Sequence, residues 1–297
     1  MRKLAFVFLL LAASAAAREL FSAYMIPAAA NKAGKGGTDW HTDLTLVNPH
    51  DSPLPIVLYF LPSDADNRRG VAAVTFTLRA RETLNLWDVL GPNGFDVPGQ
   101  TGALLVAADT EVPGFSCMGN SCDFVVFSRT YTLGPLPGEF GQGLPGFPLR
   151  LGLDRSVLAY VPQLFNDQDF RTNLGVASAT NDWVLVGVDL QLPNGAVVQR
   201  DTRWVPPFGH QQWPLHRSVT GATAVFYILE GAEDAMLYPY ASVVNEKTGD
   251  PTYVEAHMTV VGVSAQGLGA RAQKAGSLIL PPRVPLNKTL DRGRLQR

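Results

Sequence analysis

Ala23-Tyr24-Met25-Ile26-Pro27, running on to Trp40-His41-Thr42-Asp43-Leu44-Thr45-Leu46, decides the fold, because the chain writes this stretch twice. The second version begins at Ala159-Tyr160-Val161-Pro162 and continues to Phe170-Arg171-Thr172-Asn173-Leu174-Gly175-Val176. Thr101-Gly102-Ala103 returns, in the same order, as Thr220-Gly221-Ala222. Self-similarity over such a length marks two copies of one folding unit.

Each copy reads as strand. Trp40, Thr42, Leu44 and Leu46 alternate with His41, Asp43 and Thr45, the period of two that half-buries a strand. Phe170, Thr172, Leu174 and Val176 repeat the same face. The spacing therefore predicts Trp40, Leu44, Phe170 and Leu174 as equivalent core positions. Ile56 to Leu61 is a denser apolar run, and Val184, Val186, Val188 and Leu190 line one face of the matching strand. The polar loop Ser63 to Gly70 of the first copy is replaced in the second by the tight turn Pro193-Asn194-Gly195. Arg200, Asp201 and Arg203 mark Val197 to Val205 as an edge strand protected by charge. Strands this short, at this spacing and without convincing amphipathic helices, predict an all-β chain of two tandem antiparallel β-sandwiches. A small closed barrel is the rival architecture.

The boundaries follow from composition. Residues 1–17 read as a secretory signal peptide: Arg2 and Lys3, an apolar run from Leu4 to Ala13, then Ala15-Ala16-Ala17. Residues 18–132 form the first expected domain and 153–262 the second. Between them, 133–152 reads as a linker because 10 of its 20 residues are Gly or Pro, although its apolar side chains predict that it lies against a domain. Residues 263–297, with seven Lys or Arg against one Asp, read as a poorly ordered basic tail.

Charge and motifs narrow the function. The chain has 24 basic and 26 acidic residues; loss of Arg2 and Lys3 leaves 22 and 26, a net charge of −4. Nucleic acid is not the expected partner of such a surface. No later segment has the length of unbroken apolar sequence that spans a bilayer, so no membrane span is expected in the mature chain. Cys117 and Cys122, the only cysteines, are predicted to form a local disulfide in an exported protein, with Gly119-Asn120 turning the chain between them. None of the five histidines has metal-ligand spacing, and Gly-x-Ser-x-Gly, P-loop and dinucleotide fingerprints are absent. No catalytic residue, metal or cofactor is expected. Asp64/Asp66 and Asp167/Asp169 are oxygen-bearing loop pairs with too few ligands to define a Ca²⁺ site. Of the five tryptophans, Trp40 has the core-facing partner Phe170, Trp87 and Trp213 fall near one point of the repeat, and Trp183 and Trp204 flank strands. Packing is the favoured role over sugar stacking.

Trp40-His41-Thr42-Asp43-Leu44 with Asn48-Pro49, Phe127-Ser128-Arg129-Thr130-Tyr131 with Phe140-Gly141-Gln142, Phe170 to Gly175, and Tyr240 to Asn245 with Thr248-Gly249-Asp250-Pro251 together give the chain a recognisable look. It resembles a group of secreted bacterial proteins built from tandem immunoglobulin-like repeats, over about residues 23 to 256. The resemblance implies immunoglobulin-like sandwiches and export to the periplasm or beyond, and it carries over no catalytic residue. The expected function is a non-catalytic binding, adhesion or structural module with a protein or polysaccharide partner. Its rivals are a carbohydrate-binding protein, which needs aromatics in a row on an exposed face, and a hydrolase with carboxylates or histidines converging from loops.

Overall fold

The computed structural model of the chain describes residues 21–119, 121–133, 137–260 and 279–286. The expected signal peptide and most of the basic tail lie outside the described residues. Among those described there are nineteen strands and no α-helix.

The first copy contributes β1 (Ala23–Ala33), β2 (Asp39–Val47), β3 (Leu54–Pro62), β4 (Val71–Leu78), β5 (Thr83–Leu86), β6 (Gln100–Ala108), β7 (Val125–Leu133), β8 (Glu139–Pro145) and β9 (Phe147–Pro148). The second contributes β10 (Val157–Asn166), β11 (Phe170–Ser178), β12 (Val184–Gln191), β13 (Val197–Val205), β14 (His210–Pro214), β15 (Val219–Glu230), β16 (Leu237–Asn245), β17 (Pro251–Glu255) and β18 (His257–Val260). One strand plan serves both, with one exception. Lys32 and Ala33 of β1 also pair with Trp40 and Asp39 of β2, which joins the first copy's two faces into one sheet while those of the second stay separate. The run β4-β3-β6-β1-β9 corresponds to β13-β12-β15-β10-β18, and β5-β2-β7-β8 corresponds to β14-β11-β16-β17. All these pairings are antiparallel. The repeated proline acts in both copies: register shifts after Ile26 in the β1–β6 pair and after Val161 in the β10–β15 pair. Pro27 and Pro162 have no N–H for the ladder, so each strand bulges there.

Relative to the seven-strand immunoglobulin order, the central pairs agree and the outer strands do not. β2–β5 and β3–β6 stand where B–E and C–F stand. β1, however, lies beside β6 in the place of the last strand, and β7 lies beside β2 in the place of the first.

Three apolar cores hold the molecule. One lies between the sheets of the first copy and includes Ile26, Leu44, Leu58, Leu104 and Phe124. Another lies between those of the second and includes Val161, Leu174, Val186, Trp213 and Phe226. The third is the seam. Met25, Val57, Tyr59, Leu61, Ala103 and Leu105, on the far side of the first copy's sheet, pack on Ala177, Phe208 and Tyr238 of the second. Burial on both faces explains why β3 and β6 read as near-continuous apolar runs.

Several sequence expectations change. The segment 133–152 is not a free linker: β8 extends the first copy by pairing with β7, β9 pairs with β1, Leu144 enters the first core, and Phe147 and Leu149 enter the seam. Gly141 and Gly143 serve close packing rather than flexibility. A Cβ on Gly141 would lie 2.8 Å from that of Tyr131, and one on Gly143 would lie 2.7 Å from the Phe127 ring. Nor is 263–297 wholly a tail. Arg283–Pro285 forms β19, parallel to β4 of the first copy. Arg283 donates to both oxygens of Asp109, at 3.0 and 2.7 Å, and to the Tyr59 hydroxyl at 3.0 Å. Leu44 and Leu174 are core residues, but Trp40 and Phe170 are only half-buried at the strand starts. The repeat counterpart of Trp213 is Leu86, since each faces the matching leucine of its copy, Leu174 and Leu44.

Candidate ligand-binding cleft at the seam

The site begins with a loop that only the first copy possesses. Ser63, Asp64 and Asn67 follow β3 and reach the second copy just before β14. The Asp64 N–H donates to the His210 carbonyl at 2.8 Å, the Asn67 N–H donates to Pro207 at 3.1 Å, and Asn67 Nδ2 donates to the Phe208 carbonyl at 2.8 Å. Gly209 permits this approach: a Cβ there would stand 2.8 Å from the Ala65 carbonyl oxygen.

A chain of side-chain hydrogen bonds runs through the contact. Gln212 Nε2 lies 3.2 Å from the Tyr240 hydroxyl, which lies 2.8 Å from His210 Nε2. His210 Nδ1 lies 2.7 Å from Ser63 Oγ, itself 2.9 Å from Thr101 Oγ1. His210 is 1% exposed, and burial pushes its imidazole down to about 3, so it is neutral near pH 7. The neutral ring has one donating and one accepting nitrogen, so the chain of hydrogen bonds runs in a single direction through it. With Gln212 Nε2 donating to Tyr240, the Tyr240 hydroxyl donates to Nε2 and Nδ1–H donates to Ser63; with the amide turned, each bond runs the other way. Burial also pushes the Tyr240 phenol well above its usual range, keeping it a donor. The Tyr240 ring stacks on His210 and lies against Gly175, where a side chain would collide with it.

This network supports one wall of a cleft lined by Asp64, Thr202, Arg203, Trp204, Gln211, Gln212 and Trp213. Trp213 is 9% exposed, packs on Phe226, and carries the Arg203 guanidinium 5.4 Å above its ring. Trp204 is 46% exposed. By strand alternation Trp204 also belongs to the outer face of the second copy's sheet, beside Leu185. One row further along that face, Thr202, Gly187 and Tyr227 are in register. The Tyr227 ring lies on Gly187, and its hydroxyl donates to Asp189 at 2.9 Å.

Cys117 and Cys122 are joined, with Cα atoms 5.4 Å apart, and Cys122 is part of the first core. Such a bond suits an oxidising compartment. The aspartate pairs have other tasks. Asp167 Oδ1 accepts from the N–H groups of Asp169 and Phe170, Asp169 pairs with Lys247 at 2.6 Å, and Asp66 pairs with Arg68 at 2.6 Å. Among the described residues no three His, Cys, Asp or Glu side chains gather in a metal-binding group, and no helix is long and apolar enough to cross a membrane. Lack of metal-ligand spacing gave His210 no special role in the sequence, and Ser63 had none either. The extra length of the Ser63 to Gly70 loop was the available signal for both. No protein-family model and no curated protein matches this chain.

Proposed function

We propose that the chain is an exported, non-catalytic binding module made of two tandem immunoglobulin-like sandwiches and that it takes its ligand in the seam cleft. The doubled strand plan, with the B–E and C–F pairs present in each copy, supports the immunoglobulin-like class and the resemblance to secreted bacterial tandem-repeat proteins. The disulfide and the basic-apolar-small pattern of residues 1–17 support export.

The observation that carries the non-catalytic reading is the burial of His210, which is 1% exposed and closed off from a substrate. A serine 2.7 Å from a histidine nitrogen has the spacing of a nucleophile and its base. Here, however, the imidazole is buried and its other nitrogen is engaged by the Tyr240 hydroxyl at 2.8 Å. An imidazole held at about 3 is also a weak base at neutral pH. The group therefore acts as a positioning network for Gln212. A fluorophosphonate probe applied to the mature protein should leave Ser63 unlabelled by mass spectrometry. Labelling lost in Ser63→Ala would overturn the non-catalytic reading and favour a hydrolase.

A further inference from the structure

We infer that the seam cleft is a glycan site, taking a neutral oligosaccharide whose sugar ring stacks on Trp204; this rests on the binding-module reading above. The lining combines two requirements of sugar recognition. A pyranose ring has an apolar C–H face that packs on a flat aromatic surface, and its rim of hydroxyls both donates and accepts hydrogen bonds. Trp204 borders the cleft and, on the outer face of its strand, is 46% exposed. Gln211 and Gln212 offer amide groups of both polarities, Thr202 offers a hydroxyl, Arg203 only donates, and Asp64 only accepts. The lining holds one cation and one anion, so the site has no net charge with which to select a phosphate or a polyanion. Its walls lack the aliphatic side chains that usually line a pocket for an apolar peptide side chain.

The cleft is also held ready. Gln212 donates to Tyr240, which is anchored on the buried His210 and through it to Ser63 and Thr101, and Trp213 lies beneath Arg203. Ordering these groups in advance removes a cost that weak, shallow glycan contacts would otherwise bear on binding. Asp64 comes from the first copy and the other lining residues from the second, so the docked seam completes the site.

The outer face sets the ligand's length. Trp204 lies on β13 and Tyr227 lies two strands away on β15 and one row along. Strand spacing and rise put the two positions about 12 Å apart. The Tyr227 ring leans over Gly187 toward Trp204, so an oligosaccharide leaving the cleft along this face meets both aromatics. Asp189, held by Tyr227 and 3.4 Å from Arg200 Nε, then borders the track with further hydrogen-bonding groups.

The test uses the full mature protein in affinity electrophoresis against soluble β-1,4-glucan, β-1,3-glucan, mannan and xylan, and in a sedimentation assay with bacterial envelopes pretreated with periodate or protease. The expected result is retardation by at least one polysaccharide and envelope binding that survives protease and is lost after periodate. Trp204→Ala should weaken polysaccharide binding about tenfold or more, because a central aromatic carries much of a site's affinity. Trp183→Ala, which removes an exposed tryptophan outside the cleft lining, should leave binding unchanged. Tyr227→Ala should weaken long oligosaccharides and spare short ones. Circular dichroism of each variant confirms that it is folded. Envelope binding lost after protease and retained after periodate would overturn the glycan inference and leave the binding-module reading standing. Polysaccharide binding equal in the wild type and a folded Trp204→Ala would overturn the assignment to this cleft. Absence of binding to every polysaccharide and every envelope sample would overturn both readings.

Discussion

Acid should loosen this protein through His210, by an amount that can be worked out. In the folded chain the imidazole is held at about 3 by burial, against an ordinary value near 6.5 in the unfolded chain. Between those values the unfolded state binds a proton that the folded state refuses. Stability from this group is therefore complete above about pH 6.5 and falls as the pH drops toward 3. The slope is about 1.4 kcal/mol per pH unit, so moving from pH 7 to pH 5 removes about 2 kcal/mol. Urea melts of wild type and His210→Gln at both values would read it. The variant loses stability at both, since it breaks the network, but it lacks the titrating group. Acid loss from carboxylates such as Asp66 and Glu246 is common to both proteins and cancels in the difference. The advantage of wild type over variant should shrink by about 2 kcal/mol between pH 7 and pH 5. Parallel pH profiles would refute the claim that His210 is buried and neutral.

Other expectations follow from the packing. Arg283→Ala should cost about 3 kcal/mol in denaturant melts, because it strands the Asp109 carboxylate, whose side chain is 4% exposed; a loss under about 1 kcal/mol would mean that β19 does not dock. Leu44→Ala and Leu174→Ala should each cost about 2 to 5 kcal/mol, and Trp40→Ala and Phe170→Ala should cost clearly less than a full cavity in the core. Intact-mass analysis with thiol alkylation should find no free thiol at Cys117 or Cys122. Edman sequencing of the exported chain should begin at Arg18, and retention of residues 1–17 would reject the cleaved signal peptide.

The copies themselves were legible because each strand carries its own period-two pattern and each bulge its own proline. Pro27 and Pro162 are local signals, and the strands pair as those signals require. The segment 133–152 was harder. Glycine reads as flexibility in one dimension, yet Gly141 and Gly143 are small because the side chains of Tyr131 and Phe127 lie over them. That reason exists only once β8 is paired with β7. Trp40 was placed too deep because alternation gives the face of a strand and not the distance from its end. The seam was nearly invisible. Ser63 and His210 are 147 residues apart, and nothing in either local sequence names the other. The one trace was the unequal loop length between the copies, with Ser63 to Gly70 in the first and Pro193-Asn194-Gly195 in the second.

The seam is the central claim, since it fuses the two copies and completes the cleft. The most direct measurement is the distance between the copies in solution. Ala80 and Ala196 are exposed loop residues, one in each copy. With both replaced by cysteine and spin-labelled, with the native disulfide left intact, double electron–electron resonance reports their separation. A buried apolar seam predicts one narrow distance population, unchanged when the glycan ligand is added. A broad distribution, as from two domains on a flexible tether, would contradict it.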